Sequence, residues 1–115
     1  MKDYKITFKV EDQEYSAIFN LNVMEAIQGE YGSVQKWGEL SDSKSSEPNA
    51  KAIIFGFYAM INEAIEIEND EKGENKPLLT LKQVGRIISR AGIETSAKTL
   101  NNAIIEATKS ETKNA

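Results

Sequence analysis

At 115 residues the chain has the length of one domain, and its 40% hydrophobic and 28% charged residues are ordinary for a folded globular protein. It contains no cysteine and no histidine, which excludes disulfides and thiolate chemistry and removes the commonest general base and transition-metal ligand. The net charge of −4 argues against a sequence-independent hold on nucleic acid, which needs a surplus of cations facing phosphate.

Tyr4, Ile6, Phe8 and Val10 alternate with Lys5, Thr7 and Lys9, the period of a half-buried strand. Glu11-Asp12-Gln13-Glu14 is a polar turn, and residues 15–21 form a second strand with Tyr15, Ala17, Phe19 and Leu21 on one face. Residues 4–21 therefore predict an antiparallel hairpin whose apolar face packs on helices, since two strands alone are marginal in water. No apolar stretch long enough for a signal peptide follows the N-terminus.

Asn22-Val23-Met24-Glu25 has the pattern of a capping box, followed by Val23, Met24, Ile27 and Tyr31 at helical spacing and Gly32 as a left-handed stop. Residues 33–40 predict a short helix presenting Val34, Trp37 and Leu40. Trp37, the only tryptophan, reads more readily as the lid of a small core than as a partner anchor.

Residues 41–46 are a polar loop, and Pro48 suits the first turn of a helix over residues 47–68. The stretch from Ala52 to Ile61 is apolar nearly all round, about half the length of a membrane span, and predicts a core helix or a protein interface. Gly56 within it costs about 1 kcal/mol against Ala, so another backbone is expected to approach closely there, of a partner or, more simply, of the same chain. Phe55, Phe57 and Tyr58 span too wide an arc to share one core, so at least one is expected at or near the surface, available to a partner or a second copy.

Residues 66–77 read as an acidic loop. A calcium site fails on spacing: with Gly73 as the turn glycine, the fifth ligand position is Lys72 and the twelfth is Leu79. Thr80-Leu81-Lys82-Gln83 is a second capping box, opening a helix whose apolar residues are Leu81, Val84, Ile87, Ile88 and Ala91, with Gly92 at its end. Lys82, Arg86 and Arg90 share its outer face as the one basic stripe, either a dock for an acidic partner or phosphate, or simply a solvated helix back. A last helix over residues 95–109 carries Ala97, Leu100, Ile104 and Ala107, and residues 110–115 are predicted to fray.

The expected fold is a single α+β domain over residues 1–115: an N-terminal antiparallel β-hairpin packed on a mainly helical bundle of about four to five helices over residues 22–109. The glycines form no phosphate-binding loop. Residues 81–105 have the outline of a helix-turn-helix, but the second helix opens with Glu94 and carries no arginine, a poor face for reading bases. No catalytic residue, metal, cofactor or small-molecule substrate is expected, and the partner-binding candidates are Phe55, Phe57, Tyr58, Lys82, Arg86 and Arg90.

The stretch from Phe19 to Ser33, FNLNVMEAIQGEYGS, resembles the opening of tail assembly chaperones of siphophages and prophages, in which a short β element leads into a helix ending aromatic-Gly. The segments 50–65 and LTLKQVG at 79–85 resemble the same proteins, and so does the order of elements over about residues 4–110. The layout is also similar to that of gene-transfer-agent tail proteins. The resemblance implies a non-enzymatic protein that binds the tape measure protein, keeps it soluble and helps recruit tail tube subunits. It also implies a place in the cytoplasm of the bacterial host and absence from the mature virion. A DNA-binding regulator and a structural tail subunit are the alternatives.

Overall fold

The computed structural model describes residues 3–42 and 47–112. The alternating N-terminal run forms β1 (Tyr4–Val10) and β2 (Gln13–Phe19), paired antiparallel from Tyr4↔Phe19 to Val10↔Gln13. Lys5, Thr7 and Lys9 face solvent while Tyr4, Ile6 and Phe8 turn inward. The Phe8 ring stacks on Tyr15 across the ladder and meets Phe57 edge-on, both with centroids 5.7 Å apart, which fastens the hairpin to the helices.

Among the described residues five helices follow: α1 (Leu21–Tyr31), α2 (Val34–Leu40), α3 (Ala50–Lys72), α4 (Leu81–Ala91) and α5 (Ile93–Thr112). The chain is thus an α+β fold with a two-stranded hairpin on a helical bundle, as the sequence predicts. α3 is the central element and packs against β2, α1, α4 and α5. Its inner face, Ile53, Phe57 and Met60, joins Phe19, Ile27, Trp37 and Leu100 in the core.

Trp37 is fully enclosed, and its Nε1–H donates to the Ala52 carbonyl at 2.8 Å. Its ring lies over Gly56, where an added Cβ would meet Trp37 Cζ2 at 2.5 Å and Leu100 Cδ2 at 3.0 Å. The close neighbours of Gly56 are therefore side chains of the same chain rather than another backbone.

Several boundaries differ from the sequence reading, each because a polar side chain does something local that periodicity does not encode. Strand β2 stops at Phe19, because Asn20 turns to cap α1, its Oδ1 accepting from Val23 N–H at 3.2 Å. Asn22, read as the cap, instead donates its amide to Glu63 at 3.0 Å, and Leu21 lies 66% exposed on the first turn rather than on the strand face. Pro48 precedes the helix and Asn49 caps it, accepting from Ala52 N–H at 3.0 Å.

α3 runs on to Lys72, so residues 66–72 are helix rather than acidic loop, with Gly73 in the left-handed region at φ 64° as the stop. Those acids occupy a solvated helix face, and Glu68 pairs with Lys72 one turn on at 3.5 Å. α5 starts at Ile93 and its helix runs to Thr112, past the expected end at residue 109. Residues 43–46 of the serine loop and 113–115 of the tail lie outside the described residues.

Candidate protein-binding groove

At about 100° per residue, α3 turns Ile53, Phe57 and Met60 inward and brings Lys51, Ile54, Phe55, Tyr58, Asn62 and Glu66 round to one outer stripe. Of the three aromatics singled out in the sequence, Phe57 is 2% exposed and belongs to the core, whereas Phe55 and Tyr58 are half-buried on the outer stripe. That stripe is the floor of a furrow made of two adjoining hollows, about 490 Å³ and 200 Å³, with Phe55 lining both.

α1 forms one wall and runs opposite to α3: Glu30 borders the hollow beside Lys51, and Asn22 borders the hollow beside Glu63 and Glu66. Leu78, Leu81 and Lys82 form the other wall, the two leucines 46% and 49% exposed. The Tyr31 and Phe55 rings meet edge-on at 5.8 Å, and Phe55 lies 6.1 Å from Tyr58, so the middle of the floor is an aromatic row. The Tyr31 hydroxyl is enclosed and has no hydrogen-bond partner among the described residues. Burial, and then the Glu30 carboxylate beside it, raise its pKa above the ordinary 10.0.

Both walls are tied to the floor through Asn62 and Glu63, which the sequence reading passed over. The buried Asn62 amide donates to the Leu79 carbonyl at 3.0 Å and accepts from the Leu79 N–H at 2.9 Å, closing a two-bond clasp on the segment that carries Leu78 and Leu81. The capping box at Thr80 then sets the start of α4: Gln83 N–H donates to Thr80 Oγ1 at 3.1 Å, and Thr80 N–H to Gln83 Oε1 at 2.8 Å. On the other side Glu63 accepts from both Asn20 at 2.6 Å and Asn22 at 3.0 Å, clamping the start of α1 to α3. The usable signal for Asn62 was its place directly after the apolar run from Ala52 to Ile61 on the same helix, where a buried amide needs a partner.

The basic stripe does not act as one patch. Lys82 borders the groove, Arg86 is exposed one turn further along, and Arg90 reaches the hairpin turn, its Nε 3.5 Å from Glu11 Oε1. At the far end of α3, Lys76 joins Lys72 at Glu68, and its hydrogen bond is the main cause of the lowered Glu68 pKa. These charges are exposed and contribute little to stability. α4 and α5 are joined by Gly92 alone; in α5 Ser96, Ala97 and Leu100 are buried, and Thr99 donates its hydroxyl to Thr95 O at 3.0 Å.

A furrow with an aromatic floor, leucine-bearing walls and braced sides is the shape that takes the apolar face of a helix, anchored at i, i+3/i+4 and i+7. Among the described residues, no helix is long and apolar enough to cross a membrane. No protein-family model, no curated protein and no solved structure matches the chain.

Proposed function

We propose that this chain is a non-enzymatic tail assembly chaperone of a phage or prophage, which binds the tape measure protein and helps recruit tail tube subunits. The observation that carries the reading is the groove: Leu78, Leu81, Phe55 and Tyr58 form an apolar surface on a domain that has its own closed core. Apolar surface gathered into one rimmed groove marks an interaction site more than scattered exposed residues do. A tape measure protein is a long helical chain whose apolar faces stand in water until the tube encloses them, and a groove shaped for one helix face is the fitting counterpart. The acidic surface keeps such a complex dispersed.

The test is co-expression with a tape measure protein, whose gene this reading expects to lie beside that of the chain. The chaperone reading expects a soluble complex that co-purifies, and a tape measure protein that precipitates when expressed alone. A tape measure protein equally insoluble in both cases, together with a duplex-DNA gel shift that weakens steeply with salt, would replace it with the regulator reading.

A further inference from the structure

The groove is charged differently at its two ends. Lys51 and Lys82 border the hollow at the α3 N-terminal end, accompanied by Glu30, whereas Glu63 and Glu66 border the other hollow with no cation among its lining residues. Lys51, Lys82 and Glu66 have no ion-pair partner among the described residues, so their charge is open to an occupant. Between the poles lie Ile54, Phe55 and Tyr58, which carry no charge. From Lys51 to Glu66 the α3 axis covers about 22 Å, four turns of helix.

We propose that these poles fix the direction of the occupant: the groove takes an amphipathic helix of about four turns whose apolar stripe is acidic at one end and basic at the other, with the acidic end seated at Lys51 and Lys82. The inference rests on the reading of the groove as a helix dock and adds the polarity of the docked helix. An apolar stripe alone packs about as well in either direction, since leucine anchors at i, i+4 and i+7 become i, i+3 and i+7 in reverse and still share one helix face. Coulomb attraction at the two ends breaks that near-symmetry. Opposite charges favour one seating, and the reversed helix sets its acids against Glu63 and Glu66 and its bases against the lysines. A helix acidic at its N-terminal end, the charge order favoured by the helix dipole, would lie parallel to α3.

The probe is a synthetic helical peptide of about 18 residues, matched to the groove length, with leucines at i, i+4 and i+7, glutamates at one end and lysines at the other. A nitroxide on the acidic end broadens nearby amide signals of the intact chain. The expected result is broadening around Lys51 and Leu81, transferred to Asn22 and Glu66 when the nitroxide is moved to the basic end. The triple variant Lys51→Glu, Lys82→Glu, Glu66→Lys changes only exposed side chains and should turn the peptide round, exchanging the two patterns. Equal broadening at both ends, or an orientation the triple variant leaves unchanged, overturns the polarity and leaves the helix dock standing. Broadening nowhere in the groove, with the chain folded by circular dichroism, overturns the helix dock itself.

Discussion

Gly56→Ala sets two known effects against each other at one position. Alanine in a helix interior is favoured over glycine by about 1 kcal/mol. At Gly56 the new methyl would stand 2.5 Å from Trp37 Cζ2 and 3.0 Å from Leu100 Cδ2, closer than carbon atoms approach without displacement. The Trp37 ring cannot easily give way, because it is fully buried and held by its 2.8 Å hydrogen bond to the Ala52 carbonyl. Overpacking of a filled core costs about 1–3 kcal/mol, so after the helix gain the net expectation is a loss of up to about 2 kcal/mol. For a domain of this size that lowers Tm by several degrees. Gly29→Ala is the internal control: Gly29 lies within α1, and its added Cβ would meet nothing within 4 Å. It should gain up to about 1 kcal/mol. Urea titration of both variants reads the two signs directly. If Gly56→Ala stabilises as Gly29→Ala does, the packing of Trp37 over α3 described above is wrong.

Asn62→Ala removes both bonds to Leu79 and leaves a part-buried N–H and C=O unpaired, which should cost about 1–3 kcal/mol. It should also speed amide exchange at Leu79, measurable by hydrogen exchange, while a variant with wild-type protection there would refute the clasp. Tyr31→Phe deletes a hydroxyl that is enclosed and has no hydrogen-bond partner among the described residues, so stability at neutral pH should stay level or rise by up to about 1 kcal/mol. The raised pKa of Tyr31 has a definite sign: the folded state holds this proton more tightly, so its contribution is complete below the ordinary value of 10.0 and is lost as pH rises through the raised folded value. The wild type should accordingly lose more stability than Tyr31→Phe above pH 10.0 in alkaline melts, and parallel alkaline curves would contradict it.

The elements were legible wherever one periodicity ran uninterrupted. Tyr4 to Val10 gave β1, Leu81 to Ala91 gave α4 with its capping box, and Ala52 to Ile61 gave the middle of the central helix. Boundaries were lost where several asparagines competed for one role. Asn20 and Asn22 flank the same helix start, and only the fold brings Glu63 within reach of both, which leaves Asn20 as the cap. The acidic run from Glu66 read as loop because charge and asparagine resemble a turn in composition, although Glu68 and Lys72 already stood one helical turn apart. For the groove, an aromatic overflow on α3 could be read from Phe55, Phe57 and Tyr58, but their order could not. Which of them turns outward depends on the side of α3 that Trp37 and the hairpin occupy, a long-range fact. The opposite wall, Leu78 and Leu81, was invisible until the Asn62 clasp placed it.

The central claim, that the groove holds the tape measure protein, is tested most directly by Leu78→Glu/Leu81→Glu. Both leucines are about half exposed, at 46% and 49%, so the fold should survive with an unchanged circular dichroism spectrum. Two carboxylates on the wall would have to be stripped of water for an apolar helix to dock, which costs several kcal/mol if both are buried. Co-purification of the tape measure protein should therefore disappear with the double variant and persist with Glu47→Lys, a charge change at an exposed residue outside the groove. Full recovery of the complex by a folded Leu78→Glu/Leu81→Glu chain would contradict the account.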